Sequence, residues 1–238
     1  MLYEQHAGVA RSFFEEGAAI WRELNDTWGL AAALYGLGAA VRRDDPSAAR
    51  PIVEESVALF REVGDRTRLA GALSMLGAIV QSEGDLARAG TLYEESLAVS
   101  RELGQKRDIS IALLMLGDVA QDQGDEQRAL TLYQESLALM RHFLEMKEWI
   151  AQGLVGLGGV AGTVRQAERA VRLLSAAETL LNSIGLSVSV WPDVRAAYEQ
   201  RKAAARAQLD EATFAAAWAD GRALSLEQAI AEALSVGK

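Results

Sequence analysis

The sequence predicts an all-α protein built as an array of antiparallel helix pairs, closed by further helices at its C-terminal end. Three observations predict it. Alanine, leucine, glutamate and arginine dominate a chain of 238 residues that holds only three prolines, a mixture that favours helix over strand. A short pattern recurs four times at a near-constant period, the mark of a stacked array. A second pattern follows each copy, its alanine 11 or 12 residues after the glycine of the first, so each unit contains two helices.

The first pattern reads Leu34-x-x-Leu37-Gly38-x-x-Val41, Leu73-x-x-Leu76-Gly77-x-x-Val80, Leu113-x-x-Leu116-Gly117-x-x-Ala120 and Leu154-x-x-Leu157-Gly158-x-x-Ala161. The second pairs an alanine with a bulky residue four positions on: Ala49 with Val53, Ala89 with Tyr93, Ala129 with Tyr133, Ala170 with Leu174. Successive glycines lie 39, 40 and 41 residues apart and successive alanines 40, 40 and 41. The one-residue deletion therefore falls near Asp44-Asp45-Pro46, and a surface turn is where a deletion costs least. Gly84-Asp85 and Gly124-Asp125 pair a C-cap glycine with an N-cap aspartate, and Asp45-Pro46 puts proline at a first helical position. Gly64, Gly104 and Gly185 close the second helices. The third repeat has Leu144 in that place, so its exit should differ. Glycine and alanine at a helix crossing let backbones approach, so leucine at Gly77 should overpack it.

Before the first full repeat, the stretch from Phe13 to Leu24 aligns with that from Leu92 to Leu103, so the chain opens on a second helix. The expected organisation is a half repeat over residues 1–27, four repeats over 28–186 and capping helices over 187–238, in one continuous solenoid. An array buries its core by stacking, so the opening helix should carry an uncovered apolar face, either as part of a longer protein or for pairing. Trp191-Pro192-Asp193 begins the final pattern, with Tyr198, Phe214 and Trp218 at helical spacing and Ser225 to Gln228 as a capping box.

The two patterns resemble the tetratricopeptide repeat, although each unit has about 40 residues against about 34 there, the surplus following the alanine. The segments "QAERAVRLLSAAETLL" and "FAAAWADGRALSLEQAIAEAL" are similar to the C-terminal part of MalT-like and LuxR-type ATP-dependent bacterial regulators, and to tails of cyclase-linked ATPases. That resemblance is specific at Phe214, Trp218, Gly221, Leu224, Ser225 and Ala229. It implies a right-handed α-α superhelix that senses an inducer or partner for a cytoplasmic transcriptional or signalling regulator. The family's ATPase activity does not carry over, because no Gly-x-x-x-x-Gly-Lys-Ser/Thr is present.

The resemblance also implies a concave face lined by the first helix of each pair, at positions three before and one and four after the repeat glycine. These are Tyr35, Ala39 and Arg42; Ser74, Ala78 and Gln81; Leu114, Asp118 and Gln121; Val155, Gly159 and Gly162, bordered by Arg43 and Gln152. The lysine and asparagine of carboxylate-gripping members are missing there, so the groove suits a protein or peptide loop or a small polar inducer.

Other chemistry finds little material. The net charge of −9 opposes direct nucleic-acid binding, and no apolar run is long enough for a membrane span. There is no cysteine, and His6 and His142 stand without the partners that a metal or a catalytic triad needs. The expectation is a non-catalytic protein without cofactor or metal. The pairs Glu15-Glu16, Glu54-Glu55 and Glu94-Glu95 read as a solvated outer face, and Arg195, Arg201, Lys202 and Arg206 as another. The stretch GLVGLGGVAG from Gly153 to Gly162 has the look of a phosphate loop, but no strand precedes it. Its extra glycines, Gly153, Gly156, Gly159 and Gly162, are not demanded by the repeat, and alanine at Gly159 and Gly162 together should stabilise the helix. The alternative to a regulator segment is a stand-alone adaptor that forms a homodimer through Phe13, Phe14 and Trp21.

Overall fold

The computed structural model describes the backbone of residues 2–42, 44–186 and 192–237, and the side chains of 8–42, 44–186 and 195–237. Among the described residues there are twelve helices and no strand. First helices of the repeats are α2 (Thr27–Val41), α4 (Arg66–Ser82), α6 (Lys106–Asp122) and α8 (Lys147–Thr163). Second helices are α1 (Leu2–Glu23), α3 (Pro46–Val63), α5 (Leu86–Glu102), α7 (Glu126–Met140) and α9 (Ala167–Ser183). Three more follow: α10 (Pro192–Arg206), α11 (Glu211–Ala223) and α12 (Leu226–Ala233). Residues 1–108 and 109–238 form two compact units, the boundary falling in the first turn of α6.

The helix ends follow the local chemistry. Asp45, Asp65, Asp85 and Asp125 each accept a hydrogen bond from the backbone N–H three residues on, at 3.0, 3.0, 3.0 and 3.1 Å. Gly64, Gly84, Gly104, Gly124 and Gly185 close helices with positive φ. The third repeat does differ at its exit: α7 stops at Met140, and α8 begins after Met146 without a side-chain cap.

At two of these closing positions the chain has no glycine. Asn25 stands in place of Gly64 and Arg165 in place of Gly124, with φ of 55° and 61°. Asparagine tolerates that conformation, but an arginine there is strained. Replacing Arg165 by glycine is expected to stabilise the fold by about 0.5–1 kcal/mol, read as a raised midpoint in urea. An unchanged midpoint would mean that the arginine side chain offsets its own strain.

The two sequence patterns turn out to be the two halves of one contact. A Cβ on each repeat glycine would meet the bulky residue of the second pattern: Val53 at Gly38, Tyr93 at Gly77, Tyr133 at Gly117 and Leu174 at Gly158. Tyr93 and Tyr133 are fully buried, and so are Ala49, Ala89, Ala129 and Ala170 beside them. At Gly77 the Tyr93 ring lies 2.7 Å from where a Cβ would stand, so the crossing has no room for leucine.

A third repeated contact joins them. Ser56, Ser96 and Ser136, all buried, donate to the carbonyls of Ala31, Ala70 and Ser110 at 2.8, 2.8 and 2.7 Å. Each ties the second helix of a pair to the first, where an unmatched hydroxyl would be costly.

In unit 1 the glutamate pairs do more than meet water. Glu55 pairs with Arg22 (3.0 Å), Glu54 with Arg88 (2.7 Å) and Glu95 with Arg61 (2.6 Å). On α1, Phe14 and Trp21 lie over the bare backbone at Gly36 and Gly29. Phe13 is 70% exposed and shares an open face with Val9, Ile20 and Leu24.

In unit 2, α11 packs on α9 through Phe214 and Ala217, and Ser175 donates to the carbonyl of Trp218 at 2.7 Å. The Phe214 and Trp218 rings stack with centroids 5.7 Å apart. Helix α12 opens on the expected capping box, Ser225 N donating to Gln228 Oε1 at 2.8 Å and Gln228 N to Ser225 Oγ at 3.2 Å. Trp191, which opens the final pattern, lies outside the described residues.

Candidate functional site

In unit 1, the positions named for the inner face stay half-buried or exposed while their neighbours on the same helices are buried. Burial pushes the Tyr35 phenol above its ordinary value, and the charges of Arg42 and Arg68 pull it back. Its hydroxyl lies 3.5 Å from where a Cβ of Gly71 would stand, so the bare turn of α4 makes room for it. Ser74 Oγ is 2.8 Å from Ser96 Oγ; since the Ser96 proton goes to the Ala70 carbonyl, Ser74 is the donor. Gln81 Oε1 accepts from the Tyr93 hydroxyl at 3.1 Å. Arg42 is exposed, and Arg43 lies outside the described residues.

Unit 2 is different. Asp118, Gln121, Gln152 and Gly159 come together, and they are occupied. The Tyr133 hydroxyl donates to Asp118 Oδ1 at 2.6 Å with Gln121 Oε1 3.0 Å away, and Gln152 Nε2 donates to Asp118 Oδ2 at 2.7 Å. Arg201, from α10, donates to Gln121 Oε1 at 2.6 Å. Leu114 does not take part: it is fully buried in the core of the unit and presents nothing to a ligand. Val155 is buried in the same way.

The extra glycines of α8 are explained by what presses on them. A Cβ at Gly156 would stand 2.5 Å from the Tyr133 ring, and one at Gly153 3.0 Å from Leu137. At Gly159 it would meet Gln121 Nε2 at 2.6 Å and Arg201 Cδ and Nε at 2.9 Å. At Gly162 its nearest neighbour is Ala170 Cβ at 3.9 Å, an ordinary contact. The expectation of a stabilising double replacement therefore divides: Gly162 has space for a methyl group, whereas Gly159 is a slot already filled by two side chains.

The basic face of α10 also needs correction. Besides Arg201, Lys202 sits over the Trp218 ring at 4.1 Å, and Arg206 over Phe214 at 4.9 Å while pairing with Glu211 at 2.6 Å. These are cation–π and ion-pair contacts, not a wholly solvated face. Arg195 is exposed. Tyr198, buried on the same helix, has its phenol held above the ordinary value by burial and by the charge of Glu178.

Burial raises the Asp118 carboxyl above its ordinary 3.8, while Arg201 and the bonds from Tyr133 and Gln152 pull it down. A raised folded-state value means that the folded state holds the proton more tightly than the unfolded chain. Its contribution to stability is thus full below the unfolded value and lost as pH rises through the folded one. Urea unfolding of wild type and Asp118→Asn across the acid range should show the wild type losing ground to the variant as pH rises from about 4. A constant difference would mean that the carboxyl titrates alike in both states.

A separate recess of about 580 Å³ lies beside Arg165, Arg169 and Arg172. Two of its arginines are engaged: Arg172 pairs with Glu232 at 2.6 Å, and Arg169 donates to Gln166 Oε1 at 2.7 Å and the Ser235 carbonyl at 3.0 Å. Among the described residues no cluster of three His, Cys, Asp or Glu side chains could hold a metal. His142 is exposed, 3.2 Å from Arg141 Nε, and the side chain of His6 lies outside the described residues. No helix among the described residues is long and apolar enough to cross a membrane.

Two contributors, one at the candidate site and one to the helix pairs, are not evident from the sequence reading. Arg201 reads from the sequence as part of a solvated face, alternating with alanines on one helix; the structure brings it to Gln121, 80 residues away. The repeated serines Ser56, Ser96 and Ser136 tie the helix pairs, and their shared spacing in the sequence is the signal for them.

Comparison with known proteins fits this geometry. Residues 68–142 match the tetratricopeptide repeat family model. Among solved structures, that of BtubC (BKLC) from P. vanneervenii aligns with 91% of this chain and 89% of its own, at a TM-score of 0.66 and 18% identity. At that identity the likeness is one of fold. No curated protein matches the chain. The chain thus carries a tetratricopeptide-type region in an all-α fold.

Proposed function

We propose that this chain is a non-catalytic protein-interaction and sensing segment of a cytoplasmic bacterial transcriptional or signalling regulator, taking a protein or peptide partner or a small polar inducer on the inner faces of its first helices. The observation that carries the binding part is the run of half-buried polar side chains at one set of helical positions, Tyr35, Ser74 and Gln81 in unit 1 and Asp118, Gln121 and Gln152 in unit 2. A stacked array needs no such residues for its core. Support for the regulator context is the resemblance at Phe214, Trp218, Gly221, Leu224, Ser225 and Ala229. The organisation proposed with it is the half repeat over 1–27, the four repeats over 28–186 and the cap over 187–238.

Photo-crosslinking tests the reading. A photoreactive residue at Tyr35 or Gln81 should capture a discrete partner in cells, and one at the outward-facing Thr91 should not. Equal yields at the three positions would defeat it.

A second reading, the self-associating adaptor, is favoured by the open apolar face of Val9, Phe13 and Ile20 on α1 with Leu24 just beyond its end. Phe13→Glu is its test, because Phe14 and Trp21 are engaged with α2. A dimer seen by light scattering and broken by that change supports it, and a monomeric wild type rules it out.

A further inference from the structure

The inner face of unit 2 holds one negative charge in a largely buried setting, on Asp118, and spends both carboxylate oxygens on Tyr133 and Gln152. The counter-charge comes from Arg201. Its guanidinium donates to Gln121 Oε1 at 2.6 Å, and its stem lies along the bare backbone of Gly159, where any Cβ would collide with it. The site therefore has three fitted parts: an amide oxygen that accepts from the guanidinium, a largely buried carboxylate to balance its charge, and a glycine slot for the chain that carries it. A guanidinium is matched better than an ammonium, because it is planar, weakly hydrated and reaches sideways from its stem.

The helix that supplies this arginine is held by few buried side chains, with Lys202 and Arg206 adding contacts to Trp218, Phe214 and Glu211. Of the described side chains of α10, only Tyr198 and Ala205 are buried, and most of the others are exposed. Simple departure of α10 would leave Asp118 without its counter-charge, and a buried charge stripped of its partner is costly. Exchange of one arginine-bearing helix for another avoids that cost.

We propose that this groove recognises an arginine presented on a helix, that α10 is its resident occupant, and that an arginine-bearing helix of a partner protein docks there by displacing α10. The proposal rests on the reading of the inner faces as interaction surfaces. It specifies the partner's chemistry, a cationic helix with an arginine at its centre, and it makes α10 a competitor that sets the threshold for docking. A partner offering lysine at that position docks poorly, and an acidic one is repelled.

The probe is a labelled peptide of residues 192–206, added to the full-length protein and followed by fluorescence anisotropy. Arg201→Ala in the protein weakens the resident helix, so the peptide should bind that variant about tenfold more tightly than wild type. The same peptide carrying lysine for Arg201 should bind about tenfold more weakly than the arginine form. Gly159→Ala keeps every charge but closes the slot, and should abolish peptide binding, whereas Gly162→Ala leaves it unchanged. If Arg201→Ala melts early by circular dichroism, hydrogen exchange on wild type takes its place: saturating peptide should speed exchange in α10. Equal binding of the arginine and lysine peptides, or no gain in a folded Arg201→Ala protein and no change in α10 exchange, overturns the proposal. If crosslinks at Tyr35 and Gln81 persist in that case, the proposal alone fails. If they too are missing, the interaction reading fails with it.

Discussion

Truncating Tyr133 to alanine lowers the stability of unit 2 by about 3–5 kcal/mol, the largest effect expected of any single change in the chain. The ring is fully buried and is gripped on both sides by bare backbone, at Gly117 of its own helix pair and at Gly156 of the next. The two glycines have no side chain with which to fill the space the ring would leave. The loss of its hydroxyl also removes a donor from Asp118. Tyr133→Phe separates the two contributions. It keeps the wedge and is expected to cost about 1–3 kcal/mol, the penalty for one buried acceptor left short of a partner. Urea unfolding followed by circular dichroism measures both, and if the two variants lose the same amount the wedge contributes nothing.

The second large effect is expected at Gly221. A Cβ there would stand 2.7 Å from the Arg172 Cα and 2.9 Å from its carbonyl carbon. Those are backbone atoms of α9, and they cannot rotate away as a side chain could. Gly221→Ala therefore pushes α11 off α9, stretching the bond from Ser175 to the Trp218 carbonyl. The expected cost is about 1–3 kcal/mol, with faster proteolysis of the last three helices. Gly162→Ala is the matched control, since its methyl group meets nothing closer than 3.9 Å. Equal stability of the two variants would show that α11 yields without loss.

The contrast between these positions shows what could be read from the residues alone. The spacing of glycine and alanine located the helix pairs and their turns, because close crossings and caps are short-range demands that a sequence states directly. The same pattern did not say that Val53, Tyr93, Tyr133 and Leu174 lie on the glycines, although both halves of each contact were in view. At the candidate site, the repeat numbering named Asp118 and Gln121 with Gln152 at their border, and the structure links the three through Asp118 and the Tyr133 hydroxyl. The same numbering named Leu114 too, but a leucine on a face that another layer can cover is drawn into the core. Arg201 was illegible for a different reason: it belongs to a helix with no repeat equivalent, so no internal comparison could say where it lands. Gly159 looked like an unexplained weakness until the arginine above it was known.

The arginine–glutamate pairs of unit 1 have a mechanical consequence. Each of Arg22–Glu55, Arg61–Glu95 and Arg88–Glu54 links two different helices, and all stand in contact with solvent ions, whose screening length is about 8 Å at physiological strength. The buried contacts, serine hydroxyls on carbonyls and the Tyr93 ring on Gly77, are indifferent to salt. Unit 1 is therefore held by two kinds of contact, an exposed ionic one that salt screens and a buried one that it does not, so rising salt should weaken the first while the second persists.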